Sequence, residues 1–292
     1  MFTDPYLCNS SVPMSTDTGI GHPYFPQDAA IPHYEANTAS LAAILRGFVS
    51  LIIVFVTSGL YVGRTINPAL RKGEMMAMAW FLLCFFLHAF FEGYFVLYHD
   101  SLAASQTLFS QLWKEYALSD SRYMTSDPFM LCIESLTVLL WAPLCLAIVV
   151  CIIKRSPMRH PLQTIMCVGH LFGVALYYGT CFFEHQHKGI SHSRPEFLYY
   201  WVYYLGLNAA WFVVPAVYLF QSSRNILFAL ECSEGAIREA RLAGEVVKKA
   251  ARLLDELEEM RAELKELRAE LNKLRPEYNE VRAECRRLLQ HT

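Results

Sequence analysis

A histidine and a glutamate lie four residues apart inside one long apolar stretch of the chain. The stretch reads MMAMAWFLLCFFLHAFFEGYFVLY from Met75 to Tyr98 and contains His88 and Glu92. Residues with this spacing lie on one face of a helix. An ionisable side chain at the depth of a bilayer costs roughly 3 kcal/mol or more. The pair therefore predicts a functional site, and proton transfer is the chemistry that these two groups perform best.

Three further apolar stretches carry polar side chains at helical spacing. Glu134 is followed by Thr137 and Trp141 at plus three and plus seven. The other two stretches hold His170 with Tyr177 seven residues later, and Asn208 with Trp211 three residues later. These stripes could form a structural hydrogen-bond network that joins helices. Taken together, they instead favour a shared site of two carboxylic acids, two imidazoles, an amide and aromatic faces.

Such a site suits the addition and removal of protons on an apolar molecule. A carboxyl group kept away from water resists ionisation, so Glu92 or Glu134 could donate a proton near neutral pH. The face of Trp211 could stabilise the carbocation that forms when a double bond is protonated. The sequence has no Ser-His-Asp spacing, no phosphate-binding glycine loop and no clustered Cys/His motif for zinc, so we predict neither cofactor nor metal.

The closely spaced imidazoles in EHQHKGISH leave a metal-binding site open as an alternative. His185, His187 and His192 fall within a short segment, and borderline metals use such ligands. Six of the nine cysteines lie within apolar stretches without metal-type spacing, and they are interpreted as small packing residues.

The elements that must position these residues are membrane helices. Five segments are long and apolar enough to cross the hydrocarbon core as helices. They are Leu41–Val62, Met75–Tyr98, Phe129–Ile153, Pro161–Phe183 and Phe197–Phe220. The fold class predicted is all-α, a polytopic membrane protein with five transmembrane helices and a C-terminal heptad helix. The proposed divisions are a polar segment 1–40, a membrane domain 41–220, a linker 221–230 and a tail 231–292.

Charge separates the tail from the rest of the chain and orients the spans. Residues 1–230 hold 12 of the 25 Lys and Arg residues, and the last 62 hold 13. Nothing in this balance indicates nucleic acid binding. In the short loops, Lys and Arg are richer after the first, third and fifth spans, which predicts a lumenal N-terminus and a cytosolic C-terminus. Asn9, in the sequon NSS, agrees with a lumenal N-terminus.

Leucines repeat in the tail with alternating steps of three and four. The seam runs through Leu253, Leu257, Met260, Leu264 and onward to Leu274. Glu, Lys and Arg flank it, which is typical of a self-pairing coiled coil or of a helix that packs on a partner. Pro276 is expected to kink or end the first helix. The tail is either a native oligomerisation helix or an appended scaffold, and it carries no chemistry.

The strings HPYFPQD, HAFFEGYFVLYHD, SQLWKEYALSDSRY, IESLTVLLWAPL and NAAWFVVP resemble the emopamil-binding protein family of sterol Δ8–Δ7 isomerases. The resemblance runs in order from about His22 to about Phe220 and leaves out the first twenty residues and the tail. It implies a five-helix enzyme of the endoplasmic reticulum that moves a sterol double bond from C8=C9 to C7=C8. It also implies no cofactor or metal, a sterol substrate, membrane lipids as surroundings and cationic amphiphiles as inhibitors.

The family's motif positions correspond to residues that the sequence had already singled out. The resemblance implies His88 and Glu92 as the couple that handles the proton, with Glu134 balancing the cation and helping proton removal. Trp211 would offer its π face, and Asn208 would orient one of the carboxyl groups. The expected substrate contacts are Thr137, Trp141, Tyr123, Tyr177 and His170.

A loop between the second and third spans could close the mouth of the site. Glu115 and the run from Asp120 to Tyr123 could fold over the site or form a surface turn. Two other functions remain open. The first is a carrier or receptor that binds sterols and cationic amphiphiles without isomerising them. The second is a double-bond isomerase of a specialised terpenoid.

Overall fold

The computed structural model describes residues 21–289, with side chains to Arg287, and Asn9 lies outside the described residues. The described residues are mostly helical and contain no strand. In chain order the elements are α1 (Leu41–Ile66), α2 (Lys72–Phe86), π1 (Leu87–Glu92), α3 (Gly93–Tyr98), α4 (Leu108–Tyr116), a 3₁₀ turn (Ser121–Tyr123), α5 (Pro128–Leu136), π2 (Thr137–Trp141), α6 (Ala142–Ile153), α7 (Arg159–Lys188), π3 (Leu198–Leu207) and α8 (Asn208–Leu289).

Among the described residues, five helical stretches are long and apolar enough to cross a membrane. They are Leu41–Ile66, Lys72–Tyr98, Pro128–Lys154, Arg159–Lys188 and Leu198–Arg287, called here spans 1 to 5. The five predicted spans and the all-α fold class are therefore confirmed. Local signals set several boundaries: Ser40 caps α1 by accepting from the Ala43 amide, and Asp127 caps α5, which begins at Pro128. Gly189 ends α7 in the left-handed conformation that glycine adopts without strain (φ 69°).

Two apolar clusters pack the spans at different levels. One is built around Phe81, Cys84, Cys145 and Ile148, from spans 2 and 3. The other contains Phe95, Trp113 and Tyr123 and is rich in aromatic rings. Along span 2 the first cluster extends to Cys84 and the second includes Phe95. His88 lies between Cys84 and Phe95 in the chain. Span 2 therefore carries this polar side chain at the boundary between the two apolar clusters.

The segment that joins spans 2 and 3 is folded against the N-terminal segment. Its helix α4 was predicted only as a loop. The Tyr24 hydroxyl donates to the Lys114 carbonyl at 3.0 Å, and the Lys114 ammonium donates to the Glu35 carbonyl at 2.8 Å. Trp113 is buried and stacks on Phe91 with ring centroids 4.1 Å apart. These contacts fix the segment against the N-terminal segment, so it can position side chains of the predicted site.

Residues 227–292 form a separate compact unit, distinct from residues 1–226. Of the two outcomes expected at Pro276, a kink or an end of the first tail helix, the end is wrong, because α8 continues through it to Leu289. Proline removes only one donor from a helix. Its position is exposed, so the carbonyl left without a partner can face water. The stretch 221–230, predicted as a linker, is helical as well. Leu253, Leu257 and Leu264 of the heptad seam are exposed.

Candidate active site

His88 and Glu92 contact each other directly on π1. The imidazole Nδ1 lies 2.7 Å from Glu92 Oε2, and the His88 side chain is 2% exposed while that of Glu92 is 15% exposed. The Gly93 amide donates to the His88 carbonyl five residues earlier, which is the hydrogen bond of a π turn. Such turns are frequent at functional sites. The predicted pairing of these two residues on one face is present in the structure.

Thr137 joins the two carboxyl groups of the site. It is the first residue of π2, and its Oγ1 lies 2.5 Å from Glu92 Oε2. The same oxygen lies 3.3 Å from Glu134 Oε2 and 2.7 Å from the Glu134 carbonyl. A hydroxyl donates one proton and accepts others, so Thr137 can donate to Glu92 while a protonated Glu134 donates to Thr137. A proton can therefore pass between spans 2 and 3 through one side chain.

Tyr123 binds the far side of Glu134. Its hydroxyl donates to Glu134 Oε1 at 2.9 Å, and both side chains are buried. Burial first, and then the neighbouring Glu134 charge, raise the pKa of Tyr123 well above its usual value. The phenol therefore keeps its proton and remains a donor across the physiological range. Tyr123 was predicted to contact the substrate, and the structure places its hydroxyl on Glu134.

A buried ion pair fixes the turn that carries Tyr123. The Arg122 guanidinium donates to both oxygens of Asp120, the closest contact being 2.7 Å, and it also donates to Thr180 on α7 at 2.8 Å. Its charge lies over the Tyr177 ring, 5.2 Å from the centroid. Burial alone would lower the pKa of Arg122, but Asp120 raises it above the ordinary value, so the guanidinium stays charged. The turn folds inward over the site instead of forming an exposed surface turn.

His170 and Trp211 contribute the next layer. His170 Nε2 lies 3.1 Å from His88 Nε2, and the His170 ring is 4% exposed. Its Nδ1 is buried and has no partner among the described residues. Trp211 lies edge-on to His170, with centroids 6.5 Å apart, and packs against Trp80 at 5.5 Å. The structure thus brings spans 2, 4 and 5 together around imidazole and indole rings.

Asn208 has different partners from those expected. Its amide donates to the Tyr116 hydroxyl at 3.2 Å and to the Tyr204 carbonyl at 2.8 Å, not to a carboxyl group. The Tyr116 ring packs on Tyr123 at 5.6 Å. Asn208 therefore has no direct hydrogen bond with Glu134, because the rings of Tyr116 and Tyr123 lie between them. The structural reason is that α4 folds back and inserts Tyr116 between them, which helical spacing on span 5 alone cannot reveal.

Three further residues named from the sequence lie apart from the two carboxyl groups. Trp141 packs on the backbone of α7, where a Cβ added at Gly169 would approach the indole to 2.6 Å. Tyr177 lies in the aromatic cluster with Tyr123, beneath the Arg122 guanidinium. Glu115 accepts from Tyr203 at 3.4 Å, and burial raises its pKa. These side chains shape the surroundings of the site instead of contacting its proton-carrying groups.

The structure brings together Cys and His residues that form no metal-binding motif in the sequence. Cys84, His88 and His170 each offer a ligand atom, and these atoms lie within 4.8 Å of one another. In the part of the chain that the structure describes, this group contains none of His185, His187 and His192. The spacing of Cys84 and His88, four residues on one helix, was a visible signal, but the third ligand comes from a distant span. His192 instead binds Glu184 at 2.6 Å.

Sequence reasoning also missed residues that hold the site together. Tyr116, Trp113 and Phe95 surround Tyr123 with ring centroids 4.6–5.6 Å away. The run SQLWKEY carried a signal, since aromatic residues three apart in an amphipathic segment predict a packed helix. The partners of that helix could not be read from its pattern.

Comparison with known proteins identifies the family. A model of the EXPERA family, the expanded EBP superfamily, matches residues 108–222. The mouse 3-beta-hydroxysteroid-Delta(8),Delta(7)-isomerase is 35% identical over 219 residues, which cover 74% of this chain and 93% of the relative. The rat protein of the same name is 36% identical over 215 residues, 73% of this chain and 92% of the relative. Protoglabretal synthase from Citrus sinensis is 32% identical over 183 residues, 61% of this chain and 81% of the relative.

The matched region includes α4, the turn that holds Tyr123, and both Thr137 and Asn208. The longer alignments are wide enough to cover most of the five-span unit. The resemblance recognised from the quoted strings is confirmed, and this chain belongs to the emopamil-binding protein family of the EXPERA superfamily.

Proposed function

We propose that this protein is a sterol Δ8–Δ7 isomerase. The observation that carries the proposal is one connected set of polar side chains inside apolar spans: His88, Glu92, Thr137, Glu134 and Tyr123. A protein that only held a sterol would need one partner for its hydroxyl group and not two linked carboxyl groups. The relatives named as isomerases support the same assignment.

The reaction is a proton exchange without net change in composition. A site acid gives a proton to C9, and the π electrons of C8=C9 form the new C9–H bond. A cation is left at C8. A site base then takes the proton from C7, and the electrons of the C7–H bond form C7=C8. One proton enters and one leaves, so the site needs a donor, an acceptor and a path between them.

The contacts suggest a role for each group. His88 and Glu92 form the couple that handles the proton, and Glu134 balances the cation and assists proton removal. Thr137 links the two carboxyl groups, so a proton taken up on one side can return to the other. Two carboxyl groups this close resist double ionisation, which keeps one proton in the pair. Trp211 and the His170 ring beside it provide the facing aromatic wall.

We also propose how the protein sits in the cell. Residues 41–220 form the isomerase domain in the membrane of the endoplasmic reticulum, with residues 1–40 in the lumen. The tail, residues 231–292, lies in the cytosol, its helix pairs with copies of itself, and the loop charges support this orientation. Added protease should remove the tail from sealed microsomes, and a protected tail would reverse the orientation. Cationic amphiphiles should inhibit, because a protonated amine imitates the cation at C8.

A second substrate class has an observation in its favour. The relative named protoglabretal synthase is 32% identical to this chain, and an isomeliandiol synthase from Melia azedarach is also 32% identical. The same proton chemistry could therefore act on the double bond of a specialised terpenoid. The contacts around Glu92 and Glu134 serve both substrates equally, so substrate analysis must separate them.

The test uses purified full-length protein, a Δ8 sterol and D₂O. Because the proton added at C9 exchanges with water through the site, the Δ7 product should carry deuterium at C9. Expression in yeast lacking its own sterol isomerase should restore Δ7 sterols in the lipid extract. The mouse relative, assayed in parallel, shows that the substrate is competent.

Each contrary result would assign a different function to the protein. Saturable sterol binding with unlabelled Δ8 sterol recovered intact would replace the isomerase by a carrier or receptor. Absence of sterol turnover combined with double-bond migration in a terpenoid would assign the second substrate class.

A further inference from the structure

Three buried side chains that come from two spans form a group with metal-ligand chemistry. Cys84, His88 and His170 are 0%, 2% and 4% exposed, and their ligand atoms lie within 4.8 Å of one another. Cys84 and His88 are one turn apart on span 2, and His170 faces them from span 4. A thiol and two imidazoles form a ligand set that zinc and copper(I) prefer, and one that calcium and magnesium do not use.

His88 is already oriented as a ligand. Its Nδ1 is engaged by Glu92 at 2.7 Å, and its Nε2 lies 3.1 Å from His170 Nε2. A carboxylate on the outer nitrogen of a metal-binding histidine fixes its tautomer and raises its basicity as a ligand. Two nitrogens bound to tetrahedral zinc at about 2.0–2.1 Å are about 3.3 Å apart. The separation of the two imidazole nitrogens is close to that value.

His170 faces His88 with its Nε2, and its other ring nitrogen, Nδ1, is buried without a partner among the described residues. Zinc bound at Nε2 would leave that Nδ1 as the outer nitrogen, so the three ligand atoms that converge are what supports the metal. Around tetrahedral zinc, bonds of about 2.3 Å to sulfur and 2.1 Å to nitrogen place those two ligand atoms about 3.6 Å apart, which is within the 4.8 Å that encloses the three ligand atoms.

Charge balance favours a divalent ion. Zinc carries two positive charges, and Cys84 would bind as a thiolate after releasing one proton. Together with the Glu92 carboxylate, this makes the site neutral, as an apolar interior requires. Glu92 is also the member of the His88–Glu92 pair that is more open to the surroundings, at 15% against 2% for His88. An approaching cation therefore meets a carboxylate first.

We propose that Cys84, His88 and His170 form a zinc site, and that zinc bound there inhibits the enzyme. Inhibition rests on the proposed function, because the metal takes the nitrogen of His88 that faces the interior and so removes the His88–Glu92 couple from proton transfer. Binding itself does not rest on it. The zinc site shares His88 with the proton path, and the bound metal takes no part in the reaction.

The experiment measures binding and turnover separately on full-length protein in detergent. In every protein tested, the exposed Cys232 and Cys285 are replaced by Ala, so that tail thiols cannot bind metal. Co²⁺ serves as the spectroscopic probe, because a thiolate bound to it produces a near-ultraviolet charge-transfer band. Zn²⁺ serves as the inhibitor, and Mg²⁺ serves as the cation that this ligand set should ignore.

Cys84→Ala is compared with Cys167→Ala, its matched control. Both cysteines are fully buried, but Cys167 is outside the three-residue group. The parent and Cys167→Ala should bind one Co²⁺ with the thiolate band, and zinc should inhibit both. Cys84→Ala should lose the band, need more than about 10-fold more zinc for half-inhibition and keep its turnover in metal-free buffer. Cys84→Ser, which offers no thiolate, repeats the test if the alanine variant does not fold.

The outcomes separate this proposal from the proposed function. A thiolate band and zinc sensitivity that persist in Cys84→Ala, or vanish equally in Cys167→Ala, would overturn the site. Zinc inhibition without the band would assign the effect to surface imidazoles such as His185 and His187, and would also overturn it. A Cys84-dependent band in a protein without isomerase activity would support the zinc site while the proposed function fails.

Discussion

The middle parts of spans 2 and 3 differ from the tail helix in how their sequence sets their structure. In the tail, Leu257, Leu264 and Leu271 repeat in register along α8, and all are exposed in the single chain. In the spans, the key residues lie where regular helix gives way to π turns, at Leu87–Glu92 and Thr137–Trp141. Repetition produces a surface that any similar helix can match, whereas the irregular turns hold one arrangement of a few polar groups. Changes in the spans should therefore alter chemistry, and changes in the tail should alter association.

Glu92→Gln should have the largest effect. The amide keeps the shape and a hydrogen-bonding group but cannot transfer the proton. General acid–base catalysis contributes about 10²–10⁴-fold, so turnover should fall by that range while sterol binding is kept. Turnover is followed by sterol analysis and binding by ligand titration. Glu74→Gln, on the same span but bonded to the Arg71 amide, is the control and should stay near the parent. Near-normal turnover in Glu92→Gln would remove this carboxyl group from the mechanism.

Tyr123→Phe should have the next largest effect. It removes the hydroxyl that donates to Glu134 at 2.9 Å but keeps the ring in its aromatic cluster. Hydrogen bonds to charged groups contribute about 1.5–3 kcal/mol, so kcat should fall about 10- to 100-fold with little change in KM. Tyr24→Phe is the matched control, since it removes a buried hydroxyl that donates to a backbone carbonyl far from the carboxyl groups. Equal losses of kcat in both variants would make Tyr123 a packing residue only.

Trp211→Leu should have a smaller effect that links turnover to inhibition. A cation over an aromatic face gains about 0.5–2 kcal/mol, which corresponds to about 2- to 30-fold. The variant should lose affinity for a cationic amphiphile and lose turnover by similar factors, whereas a neutral sterol should bind as before. Trp201→Leu, an exposed tryptophan on π3, provides the control. A loss of neutral sterol binding equal to the loss of amine binding would contradict the cation role.

Truncation after Leu230 should leave turnover per protomer unchanged and alter only association. Heptads bury their seam only against another helix. Light scattering in detergent should show a smaller species after truncation, and full-length protein with Leu257→Glu and Leu264→Glu should match it. Glu258→Ala and Glu263→Ala, on the flanks of the seam, form the control and should keep the larger species. An oligomer that survives truncation would locate the contact in the spans.

The same contrast explains which features could be predicted from the sequence. Long apolar runs and heptads are local patterns, so the five spans were predicted correctly. The contact of His88 with Glu92 follows from four-residue spacing on one helix. Asn208 shows the limit, because its partner Tyr116 is set by how α4 folds back. Pro276 shows a second limit. A proline in a sequence suggests a kink or an end of a helix, but this exposed helix continues through the proline despite the lost hydrogen bond.

The Cys84 group illustrates why distant contacts escape such reasoning. From the sequence, Cys84 was interpreted as a small packing residue and His88 as a partner of Glu92. Their third partner, His170, lies 82 residues further along the chain from His88. Which residues of two spans meet depends on the rotation and tilt of both helices, and these are set by packing and not by the spacing within either helix.

The turn that carries Tyr123 has a consequence for the order of assembly during synthesis. The turn is made early, but two of its contacts come from residues made later. Arg122 donates to Thr180, and the Ser121 amide donates to the His192 carbonyl at 3.1 Å. A nascent chain with three spans inserted therefore has both carboxyl groups in the membrane while the turn still lacks its contacts with span 4 and with the loop that follows it. The enzyme becomes competent only when the ribosome has released the loop after span 4, so chains stalled before that point would be inserted but inactive.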